Sequence, residues 1–391
     1  VLSPGIPHTF PKPHPVAAAA QAAGCAIVCD VELLARAVPE AKYVGITGTN
    51  GKSTTTALVG HILEFAGRDV QVGGNIGMPV LELERLAPEG IYVLELSSYQ
   101  LERVPSLSLD VAVLLNVTPD HLDRHGGMDG YVAAKRIIFD RTVDKATAVV
   151  GLEDTQSRGV CLELMAKNRH RIIPISTVAR AAGGVWVDNG ILTDDTDHGA
   201  RPIMDLAHAP ALPGRHNWQN AAAAYAVTRA LGVPASVIAE AVNNFPGLAH
   251  RQEKVRTIGR VAYINDSKAT NTDSASKALA CYDDIYWLAG GIFKEESLGA
   301  LVEFLPRVRA AFLFGEAAPK FARWLKGKVT VVECGTMDVA LTRAHQAAQA
   351  THAGGTVLLS PACASFDQFR DFEQRGAKFR AAVDALEEAV P

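Results

Sequence analysis

The sequence predicts an α/β protein in which a central, mostly parallel sheet of the P-loop type is followed by a doubly wound, Rossmann-like unit. Three observations lead to this prediction. Short, continuous apolar runs alternate with helical patterns along most of the chain, as in parallel sheets whose strands are joined by helices. One such run, residues 43–47, ends in a glycine-containing turn that carries Lys52 and opens a helix. Polar residues follow many of the other runs, where open α/β sheets place their sites.

The composition argues against several classes of protein. The chain has 391 residues, enough for about two or three domains, and its formal net charge is −4. This charge gives no electrostatic reason to expect nucleic acid or an anionic membrane as a partner. No apolar run is long enough to span a membrane, no signal peptide is visible, and six scattered cysteines favour a reducing compartment. We therefore expect a cytoplasmic protein that acts on small molecules.

Residues 1–38 have the pattern of the end of a domain. A proline-rich start precedes an alanine-rich helix at 16–23, a short strand at 27–28 and a helix from Asp30. No partner strands come before this piece, and the chain begins with Val rather than Met. We expect a fragment or a processed product that keeps only the last part of an N-terminal domain.

Two α/β units make up the rest of the chain. In residues 39–247 the apolar runs predict strands at 43–47, near 70, and at 91–96, 111–116, 148–150 and 172–175. An Asn-Gly pair at 189–190 predicts a hairpin turn, and a helix is expected to start near His216. In residues 248–391 strands are predicted at 261–264, 285–288, 311–314, 329–332 and 356–359.

The turn after the first strand has the residues that bind a phosphate chain. Small residues let backbone N–H groups approach phosphate oxygens, and the N-terminus of the helix adds partial positive charge. Lys52 supplies a full charge, and the Ser53 hydroxyl is placed to reach Mg²⁺. Ile46 stands where the common pattern has its first glycine, so an ordinary strand–turn–helix is the alternative. The predicted phosphate-binding residues are Gly48, Thr49, Asn50, Gly51, Lys52, Ser53 and Thr54.

Three further residues of the central unit are candidates for chemistry. Glu95 ends a buried strand and suits Mg²⁺, although a helix cap or a salt bridge would also explain it. His121 follows another strand and could bind a metal or a substrate phosphate or carboxylate. Lys135 lies on an otherwise apolar helical face. If it is buried, it must lower its pKa or be modified, and the alternative is an ordinary solvated lysine.

Polar residues at a helix start and in the C-terminal unit complete the candidate set. Asn217 and Asn220 are three residues apart and share one helical face, which suits a purine edge, although Asn217 could also cap the helix. Polar motifs follow the strands of the C-terminal unit as well, which suggests a cleft between two domains. Cys363 is better explained as a small buried thiol than as a nucleophile, because no histidine is placed in sequence to activate it.

This combination of motifs resembles the Mur ligases, which add amino acids to the peptidoglycan precursor. The resemblance covers essentially the whole chain and rests, in order, on Gly48–Thr54, Gly74–Gly77, Glu95–Ser98, Asp120-His121, Ala134-Lys135, Gly214–Asn217, His250-Arg251 and Asn265–Asn271. The runs Ser360–Phe369 and Phe372–Gly376 resemble the branch that adds D-glutamate. The Asp-Asn-Pro-Arg motif of the branches that add diaminopimelate or lysine is absent from the sequence.

The resemblance implies a three-domain architecture with a truncated N-terminal domain. Residues 1–38 would be the remnant of a UDP-binding domain, 39–247 an ATP-binding domain and 248–391 an amino-acid-binding domain. The implied activity is ATP-dependent ligation of D-glutamate to UDP-N-acetylmuramoyl-L-alanine through an acyl phosphate. A monomer with two Mg²⁺ sites is expected.

The resemblance also implies roles for individual residues. Lys52, His121 and Lys135 would be catalytic, and the metal ligands would be Ser53, Glu95, His121 and a carbamylated Lys135. Contacts to the nucleotide would come from the phosphate loop and from Asn217, Asn220, Arg251, Asp266 and Lys268. Contacts to the other substrates would come from Asn75, Ser97, Gln100, His121, Thr270, Lys294, Ser365, Phe366 and Phe372.

Two other interpretations stay open at this point. A ligase like folylpolyglutamate synthase would share the architecture, but the run Ser360–Phe369 and the trace of a uridine-binding domain argue against it. A nucleotide-binding relative that has lost catalysis is the second alternative, and the intact set Lys52, Glu95, His121 and Lys135 argues against that.

Overall fold

The computed structural model describes residues 1–351 and 353–386. The chain divides into two compact units, Val1–Phe245 and Pro246–Pro391. Each unit is a sheet covered by helices on both faces, so the predicted α/β class is confirmed. In the described part of the chain, no helix combines the length and the apolar character needed to cross a membrane.

The first unit contains a nine-stranded, mostly parallel sheet. Its strands are β1 (Lys42–Thr47), β2 (Val70–Gly74), β3 (Ile91–Glu95), β4 (Leu109–Leu114), β5 (Thr142–Gly151), β6 (Arg171–Ser176), β7 (Val185–Asp188), β8 (Ile191–Asp194) and β9 (Arg201–Asp205). They lie in the order β2-β3-β1-β4-β5-β6-β7-β8-β9. Neighbours from β2 to β7 are parallel, and β7, β8 and β9 form an antiparallel meander.

Helices cover both faces of this sheet. They are α1 (Pro15–Ala22), α2 (Asp30–Ala37), α3 (Lys52–Phe65), α4 (Ser98–Leu101), α5 (Leu122–His125), α6 (Met128–Asp140), α7 (Thr155–Lys167), α8 (Arg215–Ala230) and α9 (Ala235–Asn243). Side chains alternate along each strand, so Val44 and Ile46 pack with α3, α8 and α9, while Tyr43 packs with α2 and α6. Burial on both faces explains why these strands read as continuous apolar runs.

The second unit contains a six-stranded sheet in the order β10-β11-β15-β12-β13-β14. Its strands are β10 (Glu253–Ile258), β11 (Val261–Asn265), β12 (Ile285–Gly290), β13 (Val308–Phe314), β14 (Thr330–Gly335) and β15 (Gly355–Leu359). Strand β10 pairs with β11 in the antiparallel direction, and the other neighbouring strands of this sheet are parallel. The helices are α10 (Thr272–Leu279), α11 (Leu301–Phe304), α12 (Ala318–Leu325), α13 (Met337–Gln349) and α14 (Phe372–Asp384).

The structure agrees with most predicted elements and corrects a few. The hairpin turn is confirmed, because Asn189 (φ 47°) and Gly190 (φ 86°) are both left-handed, as a type I′ turn requires. The predicted strand at 27–28 is wrong: the segment is irregular, with a bond from the Leu2 N–H to the Val28 carbonyl (2.8 Å). Strands β9 and β10 were not predicted, because both are partly exposed and lack a continuous apolar run.

Candidate active site

The candidate site lies at the carboxyl end of β1, where the connections of the sheet change direction. Strand β1 lies between β3 and β4, and all three are parallel. The chain after β1 reaches β2 and then β3 on one side, and it crosses to β4 on the other. Such a switch point leaves a crevice beyond the strand ends, where open α/β sheets bind ligands.

The phosphate loop, residues 48–51, follows β1 and ends where α3 begins. Gly51 has φ 86°, and a Cβ there would lie 2.2 Å from Oδ1 of Asn220, so only glycine fits. Lys52 Nζ donates to the carbonyls of Gly48 (3.1 Å) and Thr49 (2.9 Å). The lysine therefore folds back over the loop that it follows.

Asn116, which the sequence analysis did not select, holds this loop. Its Oδ1 accepts from the Asn50 N–H (2.9 Å), and its Nδ2 donates to the Asn50 carbonyl (3.1 Å) and to Gln219 Oε1 (3.3 Å). Thr49 Oγ1 donates to the Thr118 carbonyl and accepts from the Thr118 N–H. The segment after β4 thus fixes the backbone of the phosphate loop.

Lys135 reaches the same loop from α6. Only 2% of the residue is exposed, and its Nζ donates to the Gly48 carbonyl at 2.7 Å and lies 4.6 Å from the centre of the Tyr131 ring. Burial, and then the charge of Lys52, hold the pKa of Lys135 well below its usual value. The solvated alternative is therefore wrong, and the environment favours a neutral amine.

Glu95 ends β3 and is also 2% exposed. Its Oε1 accepts from Asn75 Nδ2 at 3.1 Å, and its Oε2 is buried without a hydrogen-bond partner among the described residues. Helix α4 is capped by Ser97, so Glu95 does not serve as that cap. A buried carboxylate oxygen without a donor is costly unless a cation or another donor reaches it.

His121 lies in a more open part of the site than Lys135 and Glu95. Its side chain is 53% exposed, its backbone is left-handed, and its Nε2 is 3.5 Å from Asp120 Oδ2. Its ring lies 5.5 Å from that of Tyr99. The ring of His125, one helical turn further on, stacks on Tyr99 at 5.4 Å, and its Nε2 is 3.0 Å from Ser98 Oγ.

A cavity of about 300 Å³ is lined by several of these groups, but neither Glu95 nor Ser53 is among its lining residues. Its lining residues are Pro4, Gly5, Lys52, Asn75, Ser97, Ser98, Tyr99, Asp120, His121, Tyr131 and Lys135. Five of the predicted site residues, Lys52, Asn75, Ser97, His121 and Lys135, are thus brought together. Gln100 does not line the cavity, because its side chain accepts from the Ser97 N–H (3.0 Å) in the capping box of α4.

The predicted adenine residues lie in the first turns of α8, next to the phosphate loop. Asn220 Nδ2 donates to Asn217 Oδ1 (3.1 Å), and Asn220 Oδ1 accepts from Thr55 Oγ1 (3.3 Å). Asn217 Nδ2 donates to the Pro213 carbonyl (2.8 Å). The expected shared face is confirmed, and both asparagines are buried. Asn220 also packs directly against Gly51.

In the second unit, most of the candidate residues follow β11, β12 or β15, whereas Arg251 precedes β10. Strands β11, β15 and β12 are parallel neighbours, so their carboxyl ends meet at one edge. Asp266 is buried; its Oδ2 accepts from Ser360 Oγ (2.7 Å), and burial raises its pKa to about 7. Lys268 Nζ lies 5.2 Å from the centre of the Phe372 ring. Arg251, which forms an isolated antiparallel bridge with Leu248, is half-buried.

The remaining predicted residues of this unit differ in exposure. Thr270, Lys294 and Phe366 are exposed, whereas Ser365 is buried. Arg375, which was not predicted, is buried and donates to the Ser267 carbonyl (2.7 Å) and to the Cys363 carbonyl (3.1 Å). It therefore ties together the loops that follow β11 and β15. The Cys363 thiol is buried, as expected, and burial raises its pKa to about 12.

Tyr131 is a further residue of the candidate site that was not predicted from the sequence. It lines the cavity, its hydroxyl is 3.3 Å from Thr49 Oγ1, and burial raises its pKa to about 12. Residues four apart on a helix share a face, so its spacing from Lys135 was an available signal.

The residues present fit an oxygen-seeking cation only in part. Within residues 1–351 and 353–386, no group of three or more His, Cys, Asp and Glu side chains is arranged to hold a metal ion. Mg²⁺ usually takes only one or two carboxylates from the protein and fills its shell with water and substrate phosphates. The unpartnered Oε2 of Glu95, buried at the end of the strand beside the phosphate loop, suits that kind of binding.

The fold and the site together define an α/β protein with a phosphate loop at the switch point of its sheet. A family model described as "Mur ligase middle domain" matches residues 46–228. Similar curated proteins named UDP-N-acetylmuramoylalanine--D-glutamate ligase include one from Rhodospirillum rubrum, 56% identical over 387 residues, 99% of this chain and 81% of that protein. The one from Caulobacter sp. strain K31 is 51% identical, over 99% of this chain and 84% of that protein. The one from Nitrobacter hamburgensis is 45% identical, over 100% of this chain and 85% of that protein. The chain belongs to the Mur ligase family, and the resemblance seen in the sequence is confirmed.

Solved structures support the same fold at lower identity. One is the UDP-N-acetylmuramoylalanyl-D-glutamyl-2,6-diaminopimelate--D-alanyl-D-alanyl ligase from Acinetobacter baumannii, with a TM-score of 0.64, 20% identity, and coverage of 90% of this chain and 78% of that one. Another is the MurF ligase from Thermotoga maritima in complex with ADP, with a TM-score of 0.63, 20% identity, and coverage of 90% and 83%. At this identity the likeness concerns the fold.

Proposed function

We propose that the chain joins D-glutamate to UDP-N-acetylmuramoyl-L-alanine in an ATP-dependent reaction of peptidoglycan precursor synthesis. One observation of the structure carries the proposal: a single cavity brings Lys52, which suits a phosphoryl group, next to Asn75 and His121, which suit an acyl substrate. The curated relatives with that printed activity match 99–100% of this chain at 45–56% identity. A ligase that adds glutamate to a folate and a catalytically inactive relative become outcomes of the test.

In the proposed reaction, an oxygen of the alanine carboxylate attacks the γ-phosphorus of ATP and ADP leaves. Lys52 and the N–H groups of the phosphate loop stabilise the charge on the transferring phosphoryl group. The amine of D-glutamate then attacks the acyl carbon, loses a proton, and phosphate leaves with the former carboxylate oxygen. Asn75 and His121 hold the acyl substrate in place during both steps.

We assign the cation-binding role to Ser53, Glu95, His121 and Lys135. Bound Mg²⁺ would neutralise phosphate charge and orient the phosphate chain. Lys135 takes part as a carbamate: its neutral amine attacks the carbon of CO₂ and loses a proton, which gives an anionic carboxylate on the nitrogen. Its burial and its lowered pKa support this assignment, since only the unprotonated amine is nucleophilic.

For the second unit we propose the amino acid site and part of the nucleotide site. Arg251, Asp266 and Lys268 would contact the nucleotide, as Asn217 and Asn220 would from the first unit. The D-glutamate contacts would come from Thr270, Lys294, Ser365, Phe366 and Phe372. The adjacent carboxyl ends of β11, β15 and β12 support the grouping, and the exposed ammonium of Lys294 suits a substrate carboxylate.

The domain roles follow the same proposal. Residues 39–247 would bind ATP and 248–391 the amino acid, while 1–38 would belong to a UDP-binding domain. The match of 46–228 to a middle-domain model supports the first assignment. We also propose a cytoplasmic location, which the six free cysteines support.

The test is phosphate release by the full-length protein with ATP, Mg²⁺ and UDP-N-acetylmuramoyl-L-alanine, with and without candidate amino acids. We expect release that depends on D-glutamate and not on L-glutamate, L-lysine or diaminopimelate. A surface variant of the first unit, Lys167→Ala, serves as a control and should match the wild type. Release that requires a folate and L-glutamate, or that depends on no amino acid, would overturn the proposal.

A further inference from the structure

Arg103 is a completely buried arginine that follows α4. Its guanidinium group donates to the carbonyls of Leu2 (3.2 Å), Ser3 (2.9 Å) and Ile6 (2.7 Å), and to Nδ1 of His8 (2.9 Å). These acceptors all lie in the first eight residues of the chain, about a hundred positions away. Arginine is rarely buried unless its N–H donors are paired, so we regard these hydrogen bonds as a specific part of the fold.

The segment held by Arg103 forms part of the wall of the candidate active site. Pro4 and Gly5 lie between the acceptor carbonyls of Ser3 and Ile6, and both line the cavity that contains Lys52. The other end of the contact also belongs to that wall. Arg103 comes shortly after the cavity residues 97–99 in the sequence. Its own carbonyl accepts a hydrogen bond from the Cys29 N–H (3.2 Å).

We propose that Arg103 is a positioning residue for the acyl substrate. It fixes the turn at 3–6 against the end of α4, so that Pro4 and Gly5 keep the shape of the cavity wall beside Asn75. This inference rests on the proposed function for the identity of the substrate. The contact between Arg103 and the N-terminal segment does not depend on that identity.

The geometry requires an arginine. The planar guanidinium offers five N–H donors in a fixed fork, whereas a lysine ammonium carries three and cannot span the same acceptors. The four acceptors here are spread over a turn and a histidine ring. His8 is neutral in this arrangement, because burial and the charge of Arg103 lower its pKa to about 4, so its Nδ1 is available as an acceptor.

The first test is Arg103→Lys, which keeps the charge and loses the fork. We expect the KM for UDP-N-acetylmuramoyl-L-alanine to rise about tenfold, or about 1.4 kcal/mol, with kcat and the KM values for ATP and D-glutamate changed by less than about twofold. Amide hydrogen exchange should become faster at residues 3–8. The matched control is Arg141→Lys, since Arg141 in the same unit also donates to a backbone carbonyl, that of Pro105 (3.4 Å), outside the cavity wall.

The second test keeps the proposal falsifiable if Arg103→Lys does not fold. A Cβ at Gly5 meets no atom within 4 Å, and the backbone there is not left-handed, so Gly5→Val should fold normally. Its side chain would reach into open space beside the cavity. We expect the same selective rise in the KM for the nucleotide-linked substrate, with no change in hydrogen exchange.

The outcomes separate this inference from the proposed function. If the wild type fails to ligate D-glutamate, the proposed function is wrong, whereas hydrogen exchange still tests the contact made by Arg103. Three results would overturn the inference. They are unchanged exchange at 3–8 in Arg103→Lys, a fall in kcat or a rise in all three KM values instead of one, and unchanged kinetics in Gly5→Val.

Discussion

Replacing Gly51 by alanine should damage the phosphate loop through both backbone strain and a steric clash. Gly51 has φ 86°, and a left-handed conformation costs a residue with a Cβ about 1 kcal/mol. The new Cβ would lie 2.2 Å from Asn220 Oδ1, so the asparagine must move. That movement breaks its bonds to Thr55 and Asn217, each worth about 1 kcal/mol. We expect Gly51→Ala to lose about 3 kcal/mol of unfolding free energy.

The assay is urea unfolding combined with the KM for ATP, and the matched control is Gly67→Ala. Gly67, which follows α3, also has a left-handed backbone (φ 69°), but its Cβ would meet no atom within 4 Å. The Gly67→Ala control should therefore lose only about 1 kcal/mol of unfolding free energy and keep the wild-type KM for ATP. Equal losses of unfolding free energy in both variants, or an unchanged KM for ATP in Gly51→Ala, would mean that the contact with Asn220 does not matter.

Substitutions at Lys52, Lys135 and His8 can be tested in the same way. Lys52→Ala should abolish acyl-phosphate formation, measured as ADP production in the absence of D-glutamate, whereas Lys167→Ala should not; residual formation near the wild-type rate would contradict the role given to Lys52. Lys135→Ala should lose activity and regain part of it in added acetate, because a small carboxylate can replace the carbamate; wild-type activity without acetate, or no recovery with it, would count against the carbamate. The folded-state pKa of His8, about 4, is below its unfolded value of 6.5. The unfolded chain therefore takes up the proton first, and stability falls as the pH drops from 6.5 towards 4. The loss of unfolding free energy across this pH range, measured by urea unfolding, should be smaller in His8→Asn than in the wild type. An equal loss would be evidence that His8 does not contribute to the pH dependence of stability.

The sequence predicted the strands that are buried on both faces and the turns with a chemical signature. Strands β1, β3 and β4 appear as unbroken apolar runs because helices cover both sides of the sheet. The Asn-Gly turn at 189–190 is predictable because few residue pairs adopt its left-handed backbone. Edge strands such as β9 could not be found in this way, because one side of such a strand faces solvent and its pattern is mixed.

Several residues of the candidate site were predictable from the sequence, but their contacts were not. The strand ends indicated Lys52, Glu95 and His121 one by one. The bond from Lys135 Nζ to the Gly48 carbonyl joins residues 87 apart in sequence, and only the packing of α6 against the sheet reveals it. The same holds for Arg103, whose acceptors lie at the start of the chain. Local patterns carry no information about which distant backbone carbonyl a buried cation will meet.

Activation of the substrate as an acyl phosphate can be tested directly by following the carboxylate oxygens of UDP-N-acetylmuramoyl-L-alanine. The substrate is labelled with ¹⁸O at that carboxylate and turned over with ATP, Mg²⁺ and D-glutamate, and the released phosphate is analysed by mass spectrometry. Activation as an acyl phosphate predicts that each phosphate carries one ¹⁸O atom, because the attacking oxygen leaves with the phosphorus. Phosphate without ¹⁸O would mean that the carboxylate is not activated by phosphorylation.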